Sequence, residues 1–520
     1  MRGRKGLAVG FGAVMAIAAC GLAAAWGQGQ EQARGQQARA PVDAVVEAQT
    51  PKEVPAERPE QQKTAHDRSD IFTSSKATPS SEALVDQPEH GGMTGFDFYL
   101  DPLGAMKPGT TFEDIYKAGV ANKPEVLARQ RKLLESRYNL EPRLDPNATM
   151  SRGKPLVVGP TARLPQGMDW ARLAAMSPAE IRRNHAFPYK ALPHPAQGGG
   201  LGGQVFPQMQ IKMFPRLERY DVEYDLPEVF LPEFPPAMYL QTRPELGDVS
   251  RGEVVSINNY YRLFADILTD VQLDGLRLLL TPFPQEEFNP TGDRKTAQPS
   301  LGVTCFDCHT NGHTSGQFHI TPDARPEQRR MRLDTVSLRG LFNQQIHGSK
   351  RSLRSVEDFT EFEQRTAYFN GDPIHAMKKG MNILDRIQVS HMAQMQNILD
   401  FPPAPKLTPL GRLDPEKATE SERRGETLFF GKAQCAVCHP APSYLDNQMH
   451  DLHLERFLER EAGDGPIKSF TLRGIKDSPP YLHDGRCLTL EDTVEFFNLV
   501  LELKLTSQEK TDLVAFMRQL

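Results

Sequence analysis

Cys305-Phe306-Asp307-Cys308-His309 and Cys435-Ala436-Val437-Cys438-His439 are the stretches on which the reading of this chain turns. In each, two thiols one helical turn apart are followed at once by a histidine. Two thiols at that spacing can add across the two vinyl groups of a haem, and the adjoining histidine then reaches the iron from the proximal side. One such motif could equally serve a redox dithiol or half a zinc site. Two copies, inside an internal repeat and behind an export signal, favour two covalently bound haem c groups. Cys305, Cys308, Cys435 and Cys438 would form the thioethers, and His309 and His439 would hold iron.

Working outward, the chain repeats itself from about Ile267 onward. After the first motif come Ser337-Leu338-Arg339-Gly340, His347-Gly348-Ser349 and Val356-Glu357-Asp358. After the second come Thr471-Leu472-Arg473-Gly474, His483-Asp484-Gly485 and Leu490-Glu491-Asp492. The expected fold class is therefore mainly α, with two tandem class I cytochrome c-like domains at residues 267–405 and 406–520. Thr419 with Glu422 and Thr506 with Glu509 form capping boxes that open two helices. The second of these places Leu513, Phe516, Met517 and Leu520 on one face. A glycine at position 425 allows Phe516 a close approach, so the first and last helices of 406–520 are expected to cross.

The N-terminal half reads differently. Arg2, Arg4 and Lys5 precede an apolar run from Leu7 to Ala19, the order of a secretory signal over residues 1–25. Two processing readings stand, a lipobox at Cys20 and an ordinary cleavage site after Ala23-Ala24-Ala25. The run is shorter than the roughly 20 residues a spanning helix needs, so any membrane association would come through an N-terminal lipid anchor. The expected location is the periplasm. Residues 26–92 carry too few large apolar side chains to fold and read as a disordered tether. Residues 93–266 are dense in proline and glycine and read as an irregular coat of unknown role, with short helical stretches such as Phe112–Ala118 and Trp170–Ala175. The 520 residues carry a formal net charge of -5 at pH 7 and a hydrophobic fraction of 39%. That allows real cores and offers no basic footprint for nucleic acid.

The stretch Ser469-Phe470-Thr471-Leu472-Arg473-Gly474, through Tyr481-Leu482-His483-Asp484-Gly485-Arg486, to Leu490-Glu491-Asp492-Thr493-Val494-Glu495-Phe496, resembles the signature of the bacterial di-haem cytochrome c peroxidase and MauG family. Leu273-Asp274-Gly275-Leu276-Arg277-Leu278-Leu279 resembles the helix that precedes the family's first haem. The resemblance covers residues 267–520, about half the chain. It implies a peroxidase that reduces hydrogen peroxide with electrons from a small redox protein, relayed from one haem to the other. The superfamily also holds MauG-type protein-modifying enzymes and rubber oxygenases acting on oxygen, and a non-catalytic di-haem electron carrier is a further alternative.

The resemblance also assigns roles. A Met or Tyr beyond the His-Asp-Gly motif ligates the family's second haem, and here that position is Phe497, which has no ligand atom. His483, His450, His453 and Met449 are the alternatives, His483 being favoured as sixth ligand over a structural role. For the first haem, His319 is the candidate sixth ligand, and His347, Glu363 and His375 are candidate distal acid–base groups. Arg339 and Arg473, in matching places of the repeat, are candidate partners for haem propionates. Cys487 reads as a small buried hydrophobe. The family peroxidases place a tryptophan between the haems, whereas this chain has only Trp26 and Trp170. Calcium between the haem domains would fit the family, although no acidic loop marks it.

Overall fold

Leucine, alanine, lysine, arginine and glutamate crowd residues 125–137, and such helix formers at that density favour a helix. The computed structural model of the protein accordingly carries one helix, α1, from Phe112–Arg137, with Pro124 inside it. This is much longer than the stretch expected at Phe112–Ala118. The structure describes residues 112–194, 204–282, 304–320, 332–363 and 384–520, apart from short breaks at 216, 218–221, 225, 352 and 460–462. The signal, the tether and Cys20 lie outside the described residues, as does His375. All described residues belong to one compact unit, Thr78–Leu520. Among them no helix is long and apolar enough to cross a membrane.

The other helices of eight residues or more are α2 (Asp270–Leu279), α3 (Val356–Glu363), α4 (Arg386–Gln396), α5 (Glu420–Phe430), α6 (Leu490–Val500) and α7 (Ser507–Met517). Capping boxes start α2 at Thr269, α4 at Asp385, α5 at Thr419 and α7 at Thr506, so four of these termini are written locally. Helices α5 and α7 cross as expected, because Gly425 has no Cβ. One added there would overlap the carbonyl oxygen of Asp512 and stand 2.8 Å from Cβ of Phe516. The same device joins α2 and α4, where a Cβ on Gly275 would overlap the carbonyl oxygen of His391.

Small sheets accompany the helices. Strands β1 (Gln204–Pro207), β2 (Val222–Tyr224), β3 (Phe318–Ile320) and β4 (Arg332–Asp334) form one sheet in the order β2-β1-β3-β4. Strand β1 pairs in parallel with β2 and antiparallel with β3, so residues before 266 share a sheet with residues after the first cysteine motif. Two buried cores follow the same division. Phe206, Met238, Leu240, Leu263 and Phe264 pack with Leu276, Phe306, Met392 and Met395. Leu134, Tyr138, Leu173, Phe187 and Tyr189 pack with Phe429, Phe457, Phe496 and Phe516. The proline-rich stretch is thus divided between the two cores, because its scattered aromatic and leucine side chains bury more apolar surface there than in an independent fold.

Candidate functional site

A four-residue helix, Cys305–Cys308, carries the first pair of thiols, and the capping box of Thr304 with Asp307 starts it. His309 caps its end and is half-buried; its Nδ1 lies 2.9 Å from the carbonyl oxygen of Val336. The second pair sits on a 3-10 turn, Cys435–Val437, and His439 Nδ1 lies 3.0 Å from the carbonyl oxygen of Tyr444. A carbonyl only accepts, so Nδ1 must be the protonated nitrogen in each ring. Nε2 then keeps its lone pair, the tautomer a metal ligand needs. Burial lowers both imidazoles, His309 to about 4, which keeps them neutral.

The thiols form no disulfide. Burial pushes Cys435 up to about 12 and raises Cys438 as well. A redox dithiol or a zinc site draws on the thiolate, so this environment opposes both. A thioether carries no charge and suits it.

Beside Cys438 and His439 lies a cavity of about 290 Å³. Phe470, Leu472, Leu482, Phe496 and Phe497 give it an apolar wall, and His313, His450, Asp464, Lys468 and His483 bring polar groups to it. An apolar slot next to two thiols and a neutral imidazole with a free Nε2 fits haem.

His483 is buried, with Nε2 3.6 Å from Asp464 Oδ2 and 3.5 Å from Arg486 Nη2. His450 donates from Nε2 to Asp446 Oδ2 at 2.7 Å, and its charge acts on His439. Cys438, Asp446 and His450 moreover cluster within 4.8 Å, so His450 belongs to the attachment side of the cavity. His453 is exposed and pairs with Glu455 at 3.3 Å. Phe497 lines the cavity at the position where the resemblance expects a ligand.

Arg473 lines the cavity, donates through Nε to the carbonyl oxygen of Leu520 at 2.9 Å, and lies over the Phe401 ring. Its terminal nitrogens make no hydrogen bond among the described residues. Arg339 also lines the cavity but is buried in an ion pair with Asp477 at 3.2 Å and donates to the carbonyl oxygen of Ala237 at 2.6 Å. The two arginines occupy matching places, each followed by a left-handed glycine, yet only Arg473 keeps its fork open.

His319 sits on β3 opposite Leu333. Burial lowers it to about 4, and the charge of His309 acts on it, so the two are near one another. Glu363 is half-buried at the end of α3.

One alignment within the repeat is corrected. His347 and Leu353 form an antiparallel bridge, as do Tyr481 and Cys487, and each bridge closes a loop of the same length with a left-handed residue second, Gly348 or Leu482. His347 therefore corresponds to Tyr481, and Ser349 to His483. The shared letters His-Gly had suggested otherwise, but the backbone pinch sets the register. His347 is buried, and burial and then Lys468 lower its pKa.

Three groups escaped sequence reading. His313 is buried, takes a hydrogen bond from Ser337 Oγ at Nδ1 (2.8 Å) and donates from Nε2 to the carbonyl oxygen of Asp477 (2.9 Å). It thereby joins the first motif to the wall of the cavity beside the second. Lys468 is buried over the Phe470 ring and donates to Gln344 Oε1 at 3.1 Å; burial lowers it to about 8. Asp464 faces His483. None sits in a recognisable pattern, although His313, a turn beyond His309, was visible. Trp170 stacks on Tyr189 with ring centroids 6.0 Å apart and does not line the cavity. Cys487 is fully buried, as expected.

No family model matches the chain. It is 31% identical over 119 residues to the methylamine utilization protein MauG of Methylorubrum extorquens, covering 19% of this chain and 34% of that protein. It is 27% identical over 150 residues to the cytochrome-c peroxidase IdrP1 of Pseudomonas sp. strain SCT, covering 19% of this chain and 40% of that protein. It is 28% identical over 151 residues to the cytochrome c551 peroxidase of Nitrosomonas europaea, covering 26% and 44%. The matches thus span less than half the length of each of these relatives. A solved MauG-like protein associated with microbial copper homeostasis aligns at 17% identity with a TM-score of 0.34, covering 49% of this chain and 90% of that one. Over the matched stretches, and at low identity, the chain is similar to di-haem cytochrome c peroxidases and MauG.

Proposed function

We propose that this protein is an exported di-haem c-type cytochrome that reduces hydrogen peroxide with electrons from a small redox protein. The observation that carries the reading is the pair of half-buried histidines, His309 and His439, each directly after two thiols and each with Nδ1 committed to a backbone carbonyl. Cys305 and Cys308 would hold one haem and Cys435 and Cys438 the other, in two cytochrome c-like units. Haem, when bound, supplies an iron that exchanges electrons and takes small oxygen ligands. The chain's own residues do the rest. His309 and His439 present Nε2, and the tie at Nδ1 fixes their orientation. Arg473 offers an open guanidinium fork to a carboxylate at the cavity wall. His483, beside Asp464, is a cavity-wall group that would hold a proton or ligate the iron when haem is bound, where Phe497 offers neither. Phe470, Leu472, Phe496 and Phe497 exclude water from the same wall. Arg2, Arg4 and Lys5 ahead of the apolar run support export to the periplasm, soluble or lipid-anchored at Cys20.

The experiment is electron paramagnetic resonance of the holoprotein, fully ferric and half reduced, with peroxide added to each. A high-spin signal abolished by peroxide is expected. Only low-spin signals, unchanged by peroxide in both states, would replace the peroxidase by an electron carrier. That second reading draws on the two histidines, His319 and His483, near the two motifs.

A further inference from the structure

Residues 138–192 make a group of buried hydrogen bonds to the segment 484–496 of the second cysteine unit, besides contacts at Phe457, Asp477 and Arg518. Asp492 is fully buried, and its carboxylate accepts from the Thr161 N–H (2.8 Å), the Thr161 hydroxyl (2.6 Å), the Ala162 N–H (3.2 Å) and the Tyr189 hydroxyl (3.1 Å). The Thr489 hydroxyl donates back to the carbonyl oxygen of Gly159 at 2.9 Å, and the Tyr138 hydroxyl donates to that of Arg486 at 2.9 Å. Tyr189 meets the Phe496 ring edge-on at 5.8 Å. This segment and the residues flanking it line the cavity through His483, Thr493, Phe496 and Phe497.

One connection runs to His483 itself. The Leu192 N–H donates to Asp484 Oδ2 at 2.8 Å, the only hydrogen bond that oxygen accepts among the described residues. Asp484 Oδ1 holds Arg486 Nε at 2.7 Å, Arg486 Nη2 reaches Asp464 Oδ2 at 2.9 Å, and that oxygen faces His483 Nε2 at 3.6 Å. Arg486 serves both carboxylates, Asp484 buried and Asp464 partly exposed, and the Leu192 N–H supplies the donor that Asp484 Oδ2 lacks within the second unit. A buried carboxylate oxygen left without a donor would pull Arg486 toward itself and away from Asp464.

We propose that residues 138–192 are an intramolecular clamp that positions His483 in the cavity wall, acting through Asp484, Arg486 and Asp464. This rests on the reading of that cavity as a haem site. Leu192, Asp484, Arg486 and Asp464 are positioning residues, and the apolar side chains of the clamp are spent on the core it shares with the second unit.

The test uses the full-length holoprotein. The paramagnetic signal of the second haem is assigned as the one lost in the Cys435→Ala/Cys438→Ala variant. Leu192→Pro, which removes the N–H together with part of a buried side chain of the shared core, and Asp464→Asn are both expected to shift the g-values or spin state of that signal, with two haems per chain retained. Gly275→Ala, which strains the α2–α4 crossing, should lower the melting temperature and leave the signal in place. If Leu192→Pro fails to fold, Asp484→Asn keeps the carboxyl shape, weakens the same bond and gives the same readout. An unchanged second-haem signal in Asp464→Asn and in the Leu192 or Asp484 variant would overturn the clamp. A wild-type chain carrying fewer than two haems would instead overturn the functional reading beneath it.

Discussion

Replacing Asp477 by alanine is expected to destabilise the protein more than any exposed substitution, because three separate parts of the chain converge on this one residue. Its carboxylate accepts from the Ser151 N–H at 3.0 Å, from the Ser151 hydroxyl and from Arg339 Nη1 at 3.2 Å, and its carbonyl accepts from His313. Both members of the ion pair are only 4% exposed. Asp477→Ala leaves the Arg339 charge buried with the carbonyl of Ala237 as its remaining acceptor. Breaking a buried pair from one side costs about 3–5 kcal/mol, and two lost hydrogen bonds to Ser151 add roughly 1 kcal/mol each. The total is about 5–7 kcal/mol. Arg339→Met combined with Asp477→Leu removes both charges and restores apolar volume, so it should cost well under the sum of the single changes. Urea unfolding of the full chain, compared by midpoint shift at constant slope, reads the difference. A loss below about 1 kcal/mol for Asp477→Ala, or strict additivity in the double variant, would refute the reasoning.

Further outcomes are expected at other sites. Gly425→Ala gains about 1 kcal/mol of helix propensity but forces a Cβ onto the Asp512 carbonyl; overpacking of about 1–3 kcal/mol should win, lowering the melting temperature, whereas a rise would show that α5 and α7 can part. Arg424 and Ser421 hold Asp512 down at about 2, below its ordinary 3.8, so its contribution is complete above pH 3.8 and is lost as pH falls toward 2. Acid titration of Asp512→Asn should therefore show a flatter loss of stability in that window. Cys435→Ala/Cys438→Ala should halve the covalent haem content measured as the pyridine haemochrome, and retention of two haems would remove the second motif from the reading. Phe497→Met puts a thioether into the cavity wall and is expected to change the spin state of one haem in the ferric spectrum; an unaltered spectrum would place Phe497 away from the iron.

What could be read in advance was local. The cysteine motifs, the capping boxes at Thr419 and Thr506, the Gly425 crossing and the buried Cys487 each depend on neighbours within a few residues or on a helical period, and each is present in the structure. Alignment by letters failed at His347, because the backbone pinch that pairs it with Leu353 tolerates a histidine where the second copy has Tyr481. Helix α1 runs past the expected Phe112–Ala118 and through Pro124, because the strong helix formers at 125–137 carry it on.

The amino-acid order of this chain carries the pattern on which the haem proposal rests, since thiol spacing and the adjoining imidazole lie within five consecutive residues. It could not reveal which polar groups face the cavity. Asp477 meets Ser151, Leu192 meets Asp484, and Asp492 meets Thr161 across hundreds of residues of chain. Hydrogen bonds and ion pairs of that kind leave no periodicity behind, because they exist only once the cores of Phe206–Met395 and Leu134–Phe516 have packed. Burial then makes each unpaired partner costly, so tertiary packing alone decided the surroundings of His483.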